Sequence, residues 1–427
     1  GACNRNLLSC GRGAGGGFLT ARVEAIGMSR RSLVARLVAC GTGLVLGSPT
    51  LARQTSRSAG SWNFGAAHLE WEPLEVGTGD TLLVSAQVRG VPVRAVLDSG
   101  SGASIMSTAL AAKLGLNDGE RRMISGLSAK APVLLVRDID VQLARETRRL
   151  PFAVVGDLSS VSAAFGRPID ILLGADMFTG SCIALDFAKR RMAVVKSGTF
   201  LAGPDWRAVA LGRGAKQELF IRASVSGLPP VPLMIDLGSS AALMLSSAYA
   251  RDQGLLNGKL VSTAAIGGVD GVRINDAFTI QNINIEGLGV SNVPTLGMRA
   301  WLSTSTVGNV GLPLIAQFDV VFDVTAGFVW LRPLGPRRRL PMLKDRSGLG
   351  LAASPTALTV VHVAANSPAE KAGWAVGDRI VAVNGHSIDA NYTRGELWQV
   401  RSRPAGTLVK LTMASGDVRE LRLADYY

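Results

Sequence analysis

The chain reads as a mostly β protein, with two homologous β lobes in series and a small α+β module behind them. Three observations predict this. Landmarks recur at an interval of 137–138 residues, and short apolar runs are bounded by Gly, Pro, Asp or Asn in a chain holding 50 Gly. A Pro- and Arg-rich break (Pro333, Pro336, Arg337-Arg338-Arg339, Pro341) then precedes a different set of motifs. With 427 residues, 47 % of them hydrophobic and 18 % charged, the chain is long enough for two or three domains and too apolar for disorder.

The repeat is anchored at three places. Val91-Pro92-Val93-Arg94-Ala95-Val96-Leu97-Asp98-Ser99-Gly100-Ser101 has a partner in Val231-Pro232-Leu233-Met234-Ile235-Asp236-Leu237-Gly238-Ser239, with the Asp residues 138 apart. Ile171-Leu172-Leu173-Gly174 matches Gly308-Asn309-Val310-Gly311, and Asp186-Phe187 matches Asp323-Val324, both at 137. Strands are predicted at Thr81–Val88, Val93–Leu97, Pro151–Val155 and Ile183–Phe187 in the first copy. The second repeats them at Leu219–Val225, Leu233–Ile235, Phe278–Ile285 and Val320–Val324, and one short helix follows each Asp loop, at Ser107–Leu114 and Ser246–Gln253.

The N-terminal segment has the layout of an export signal. Met28-Ser29-Arg30-Arg31 is charged, Leu33 to Leu46 is apolar apart from Arg36, and Thr50-Leu51-Ala52 offers small residues for cleavage. Residues 1–27 read as sequence upstream of a start at Met28. The paired Arg30-Arg31 and the Leu37-Val38-Ala39-Cys40 box leave a twin-arginine route and a lipid anchor open as alternatives to plain cleavage after Ala52. The expectation is an exported protein, periplasmic or secreted, with no transmembrane segment in the mature chain. Cys3, Cys10 and Cys40 fall in the leader, so Cys182 remains alone and reads as a buried, inert thiol.

The net charge of +13 includes +5 from residues 1–52, and the remaining +8 is scattered rather than gathered in a stripe with aromatics, which argues against a nucleic-acid partner. Only three His occur (His68, His362, His386), so a His-rich metal site is excluded and a Ser-His-Asp triad is disfavoured. No metal or cofactor is expected. An apolar strand ending in Asp-Ser-Gly instead places a carboxylate at a tight turn, where Gly100 allows close approach and Ser99 and Ser101 can brace the loop. Two such loops, at Asp98 and Asp236 with Gly238 and Ser239, would set two carboxylates side by side. The pair would share one proton, one member acting as base on a water while the other polarises a carbonyl.

These loops, with Leu172-Leu173-Gly174 and Asn309-Val310-Gly311 behind them, resemble the retropepsin-like aspartic proteases, fused as two lobes in one chain over about residues 73–335. The resemblance implies a bilobed pair of β-barrels, a catalytic pair Asp98 and Asp236, polypeptide substrates, and flaps near Met123–Lys130 (with Gly126) and Ala265–Val272. Neither flap contains the Tyr of the pepsin type. Leu237 stands where the family has Ser or Thr, and it favours the alternative of a non-catalytic peptide-binding protein. Both Asp residues in one chain imply a monomer.

Beyond the break, Ser347-Gly348-Leu349-Gly350-Leu351, Ser367-Pro368-Ala369, Ala372-Gly373, Gly377-Asp378-Arg379-Ile380 and Asn384-Gly385 resemble a PDZ domain. That implies a loop, Gly348 to Leu351, presenting N–H groups to the terminal carboxylate of a peptide ligand, or else a module that only docks on the lobes. The chain thus divides into upstream sequence (1–27), signal peptide (28–52), linker (53–72), lobe 1 (73–202), lobe 2 (203–335), linker (336–344) and PDZ-like module (345–427).

Overall fold

The computed structural model describes residues 62–77, 82–125, 130–159, 161–162, 167–268, 271–392 and 395–427. The expected signal peptide, the sequence ahead of it, Cys3, Cys10, Cys40 and Gly126 lie outside these residues. Among the described residues, no helix is long and apolar enough to cross a membrane.

Two eight-stranded sheets share one topology. In space the first runs Glu75–Val76, Leu82–Val88, Val91–Leu97, Ile171–Leu173, Ile105–Ser107, Glu146–Gly156, Lys130–Leu143, Glu120–Ser125. The second runs Gly212–Arg213, Leu219–Val225, Val231–Asp236, Gly308–Gly311, Leu243–Ser246, Leu288–Met298, Gly271–Ile285, Ser262–Gly268. Period-2 alternation builds these strands: in Leu219–Val225 the residues Leu219, Ile221, Ala223 and Val225 face the core and are buried. The strands at Glu146–Gly156 and Gly271–Ile285 extend beyond the expected apolar runs. Their added halves are hairpin arms with polar, exposed residues such as Thr147 and Arg149, which carry no hydrophobic signal. Both short helices form, at Thr108–Lys113 and Ser247–Asp252. Ser107 and Ser246 cap them by accepting from the N–H groups of Leu110 and Tyr249.

In each copy the strand that ends in Asp pairs in parallel with the later Gly strand. Val96 lies opposite Leu172 in one, and Met234 opposite Asn309 in the other. A third, six-stranded sheet draws on both halves. Its central pair is Ser181–Asp186 against Phe318–Asp323, antiparallel, so the last repeated landmark marks where the two copies hydrogen-bond to each other. Trp62, Phe64, Phe200 and Trp206 pack beneath this sheet. Cys182, fully buried there, has its thiol pushed up by burial and by the charge of Asp323, as an inert core residue should.

The terminal module is a sheet ordered Leu349–Ala353, Leu358–Val363, Arg379–Val383, Leu408–Met413, Val418–Arg422, with its own core around Leu358, Val360, Trp374 and Ile380. It leans on the Ser262–Gly268 strand of the second lobe. Thr263 Oγ1 meets His362 Nε2 at 2.9 Å, Ser262 Oγ donates to the Ala365 carbonyl, and Gly350 leaves room for Ala265. The segment expected as a linker is also packed. Leu340 and Met342 pack against the lobe core, Gln317 Nε2 donates to the Leu340 carbonyl at 2.8 Å, and Leu334 just ahead of the segment is buried. Three spaced apolar residues thus outweigh the Pro and Arg around them.

A chain ending at Leu343 should therefore fold, whereas one ending at Arg332 uncovers this apolar surface and should lose about 2–5 kcal/mol. Urea unfolding of the two truncations compares them directly; equal midpoints would mean that residues 333–343 contribute nothing to the core.

Candidate active site

The strands Val91–Leu97 and Val231–Asp236 deliver Asp98 and Asp236 to the same place from the two lobes. The two carboxyls approach closely enough for each to shift the ionisation of the other. Asp236 is 6 % exposed and Asp98 somewhat more open. The loops interlock through their glycines: a Cβ at Gly100 would lie 2.5 Å from Asp236 Cγ, and one at Gly238 would lie 2.7 Å from Asp98 Cγ. Each carboxyl therefore occupies the space where a side chain of the opposite loop would be. Behind them, a Cβ at Gly174 or Gly311 would strike the backbone of Ala103 (2.5 Å) or Ala241 (1.9 Å). This is why both copies carry a Gly at the end of the second strand.

Hydrogen bonds hold each loop. Ser101 N–H donates to Asp98 Oδ1 (3.2 Å), and Gly238 N–H donates to Asp236 Oδ1 (2.9 Å). Ser101 Oγ donates to the Ala103 carbonyl at 2.7 Å, and Ser239 Oγ repeats this to Ala241 at 3.5 Å. Ser99, fully buried, crosses between the lobes: its Oγ donates to the Ile235 carbonyl (2.7 Å) and accepts from Leu237 N–H (3.1 Å). Leu237 cannot return that bridge, and its side chain packs into the main core. One lobe thus supplies the polar tie and the other supplies apolar contact. Leaving the two backbone groups unpaired would cost about 1–3 kcal/mol each.

Burial raises the Asp98 carboxyl above its ordinary value, against N–H donors from Ser101 and Gly100 and the bond with Asp236, which lower it. Burial, and then the charge of Asp98, push Asp236 well up. Two carboxyls so placed cannot both ionise cheaply.

Two polar residues beside the loops escaped the sequence reading. Asp176 accepts from Ser104 N–H (2.8 Å) and Oγ (2.7 Å), and Ser104 Oγ accepts from Gly174 N–H (3.1 Å), which ties the first Asp loop to the Gly strand. Burial raises this carboxyl too. Asn309 Nδ2 donates to Asp236 Oδ2 at 2.7 Å. The only sequence signal was a polar residue set against Leu172 in the repeat.

Gly348, Leu349, Gly350 and Leu351 lie in the terminal module rather than at the carboxyl pair. Gly348 takes the left-handed backbone conformation, φ +78°, and a Cβ there would lie 2.1 Å from Ser367. The loop's N–H groups are partly engaged already. Gly348 N–H donates to Asp345 Oδ2 (2.8 Å) and Leu349 N–H to Ser347 Oγ (3.1 Å), while Tyr426 OH also donates to Asp345 (2.7 Å). Antiparallel strand pairs flank both segments read as flaps, and Met123 and Val272 stand exposed on them.

With both carboxyls raised, the folded chain binds protons here more tightly than the unfolded chain does. Its stability is therefore greatest below the ordinary carboxylate pKa and falls as pH rises through the raised values. Asp236→Asn removes the charge while keeping the shape. At pH 7 its Tm should exceed that of the native chain by roughly 2–4 °C for each kcal/mol relieved, with the gap closing as pH falls toward about 4. Calorimetry across that range checks it, and a gap independent of pH would contradict the raised pair.

Residues 84–177 match the family model described as aspartyl protease, and residues 359–412 match the PDZ domain model. No curated protein sequence matches the chain. Among solved structures, the crystal structure of an aspartic proteinase from Irpex lacteus is similar at 10 % identity and a TM-score of 0.41, covering 63 % of this chain and 98 % of that one. The chain carries a retropepsin-like aspartyl-protease segment at residues 84–177 and a PDZ domain at residues 359–412.

Proposed function

We propose that the protein is an exported aspartic endopeptidase in which Asp98 and Asp236 hydrolyse peptide bonds with a bound water. The observation that carries this is the close approach of two carboxyls, one buried and one partly buried, each seated over the other lobe's glycine. The ionised member takes a proton from the water as it attacks, and the protonated member donates to the carbonyl oxygen as charge develops there. Such proton transfers contribute typically 10²–10⁴-fold each. The attack is direct, so neither a nucleophilic side chain nor a His base is needed. Ser99, Ser101 and Ser239 keep the loops in register, and the two hairpins close on the substrate with Met123 and Val272 as apolar contacts.

The leader would export the chain, and the PDZ domain would bring polypeptides to the cleft by adding a strand at Leu349–Ala353, whose outer edge has no partner strand among the described residues. Leu237 favours a second reading, a non-catalytic peptide-binding protein, because the second loop lacks the hydroxyl that would return the Ser99 bridge.

Asp98→Asn and Asp236→Asn should each abolish hydrolysis of a mixed peptide library while leaving the fold intact. Full activity in either variant rules out the paired mechanism. A native chain that binds a peptide carrying a tetrahedral hydroxyl isostere but cleaves nothing establishes the second reading instead.

The PDZ loop generates its own expectation. Asp345 already accepts from the loop and would repel an incoming carboxylate, so recognition should rest on strand pairing. Free-acid and amidated forms of one peptide should bind the whole chain within about threefold of each other, and Asp345→Asn should favour the acid. Fluorescence polarisation reads both; a tenfold preference of the native chain for the acid would overturn this.

A further inference from the structure

The two Asp loops are not equivalent in what stands behind them. In the first lobe, the position two residues before the strand-ending Gly is Leu172, packed with Leu83, Val96, Leu158 and Ile169 in a small apolar cluster. In the same register of the second lobe it is Asn309, opposite Met234 as Leu172 is opposite Val96. Asn309 is fully buried, its Nδ2 lies 2.7 Å from Asp236 Oδ2, and its Oδ1 has no hydrogen-bond partner. An orphaned, inaccessible carbonyl is unfavourable, and a Leu like that of the first lobe would avoid it. Structural economy therefore does not account for an amide here, whereas its bond to the carboxyl does.

We infer that Asn309 is a positioning residue for Asp236: its amide holds the carboxyl from behind, supplying the second loop with the polar anchor that Leu237 cannot give it. Gly238 N–H fixes Oδ1 and Asn309 fixes Oδ2, so the carboxyl cannot rotate without losing a donor. In the first loop Ser99 bridges outward and Ser104 with Asp176 ties the rear; in the second the counterparts are Leu237, Ala242 and Pro313, all without a side-chain donor. Asn309 is thus the side-chain donor to Asp236 from its own lobe. Among the described residues, the titratable group that bears on Asp236 is Asp98, from the facing loop. The packed strands contribute Met234, Met244 and Val310. A donor to the carboxylate favours its ionised form, so removing it moves the ionisation to higher pH.

This rests on reading Asp98 and Asp236 as the working pair, and the test separates the two claims. The Asp carboxyl carbons are followed by ¹³C NMR against pH in the full native chain, in Asn309→Leu and in Asn309→Thr, which keeps a donor. The titration of Asp236 should move up by about one pH unit in Asn309→Leu and lie between in Asn309→Thr, while the Tm of Asn309→Leu stays level or rises as the orphaned oxygen is lost. With a cleavable peptide, kcat should fall roughly 10- to 100-fold with KM little changed, and the pH profile should move with the titration. An unshifted Asp236 titration in folded Asn309→Leu overturns the inference; if that variant does not fold, Asn309→Thr decides it, an upward shift with lowered kcat supporting the inference and an unshifted titration with native kcat overturning it. Absence of cleavage by the native chain refutes the peptidase reading alone, because the NMR titration still reports on Asn309.

Discussion

Two carboxyl groups buried against each other repel whenever both are charged, and water that would screen them is largely excluded. The rest of this structure can be understood as what is needed to keep them there. Glycines at 100 and 238 remove the side chains that would keep the loops apart, and glycines at 174 and 311 let the supporting strands pass directly behind. The six-stranded sheet ties the halves together by main-chain hydrogen bonds through Ser181–Asp186 and Phe318–Asp323, so the approach of the carboxyls is enforced far from the carboxyls themselves. The repulsion is borne by the whole core.

The two lobes share one frame but distribute the bracing unequally. The first lobe keeps polar ties: Ser99 across the interface, and Ser104 with Asp176 behind it. The second replaces these positions with Leu237, Ala242 and Pro313 and carries Asn309 where the first has Leu172. A buried hydroxyl without a partner costs more than a packed methyl group, so each exchange is locally stable. Both arrangements end with a carboxyl that accepts a hydrogen bond from its own loop.

The frame was legible in the chain because its signals are local. Leu219–Val225 and the capped helices announce themselves through alternation and through Ser107 and Ser246. The repeat brought Asp98 and Asp236 into one argument before any geometry was known. What could not be read is what depends on long-range approach. That Gly350 accommodates Ala265, or that Asp345 accepts from the PDZ loop, follows from the folded surface and from no pattern along the sequence. The hairpin arms outrun the apolar runs because exposed residues such as Thr147 and Arg149 leave no apolar trace, and Leu340 and Met342 are hidden among prolines and arginines. Asn309 lay in view, aligned with Leu172, but a single polar residue in a strand has no meaning until its neighbour across the fold is known.

The shared six-stranded sheet also sets an order in time. Its edge begins at Glu72–Pro73, while its inner strands include Phe318–Asp323 and Phe328–Pro333, so closing it joins stretches of chain some 250 residues apart. Contacts of such long range form late. A nascent chain that has completed only its first lobe holds Asp98 alone, without the Ser99 bridge or a second carboxyl to share its proton. The second carboxyl and the strand Phe318–Asp323 that ties the halves together both lie beyond the first lobe in the chain, so the pair cannot assemble before they do.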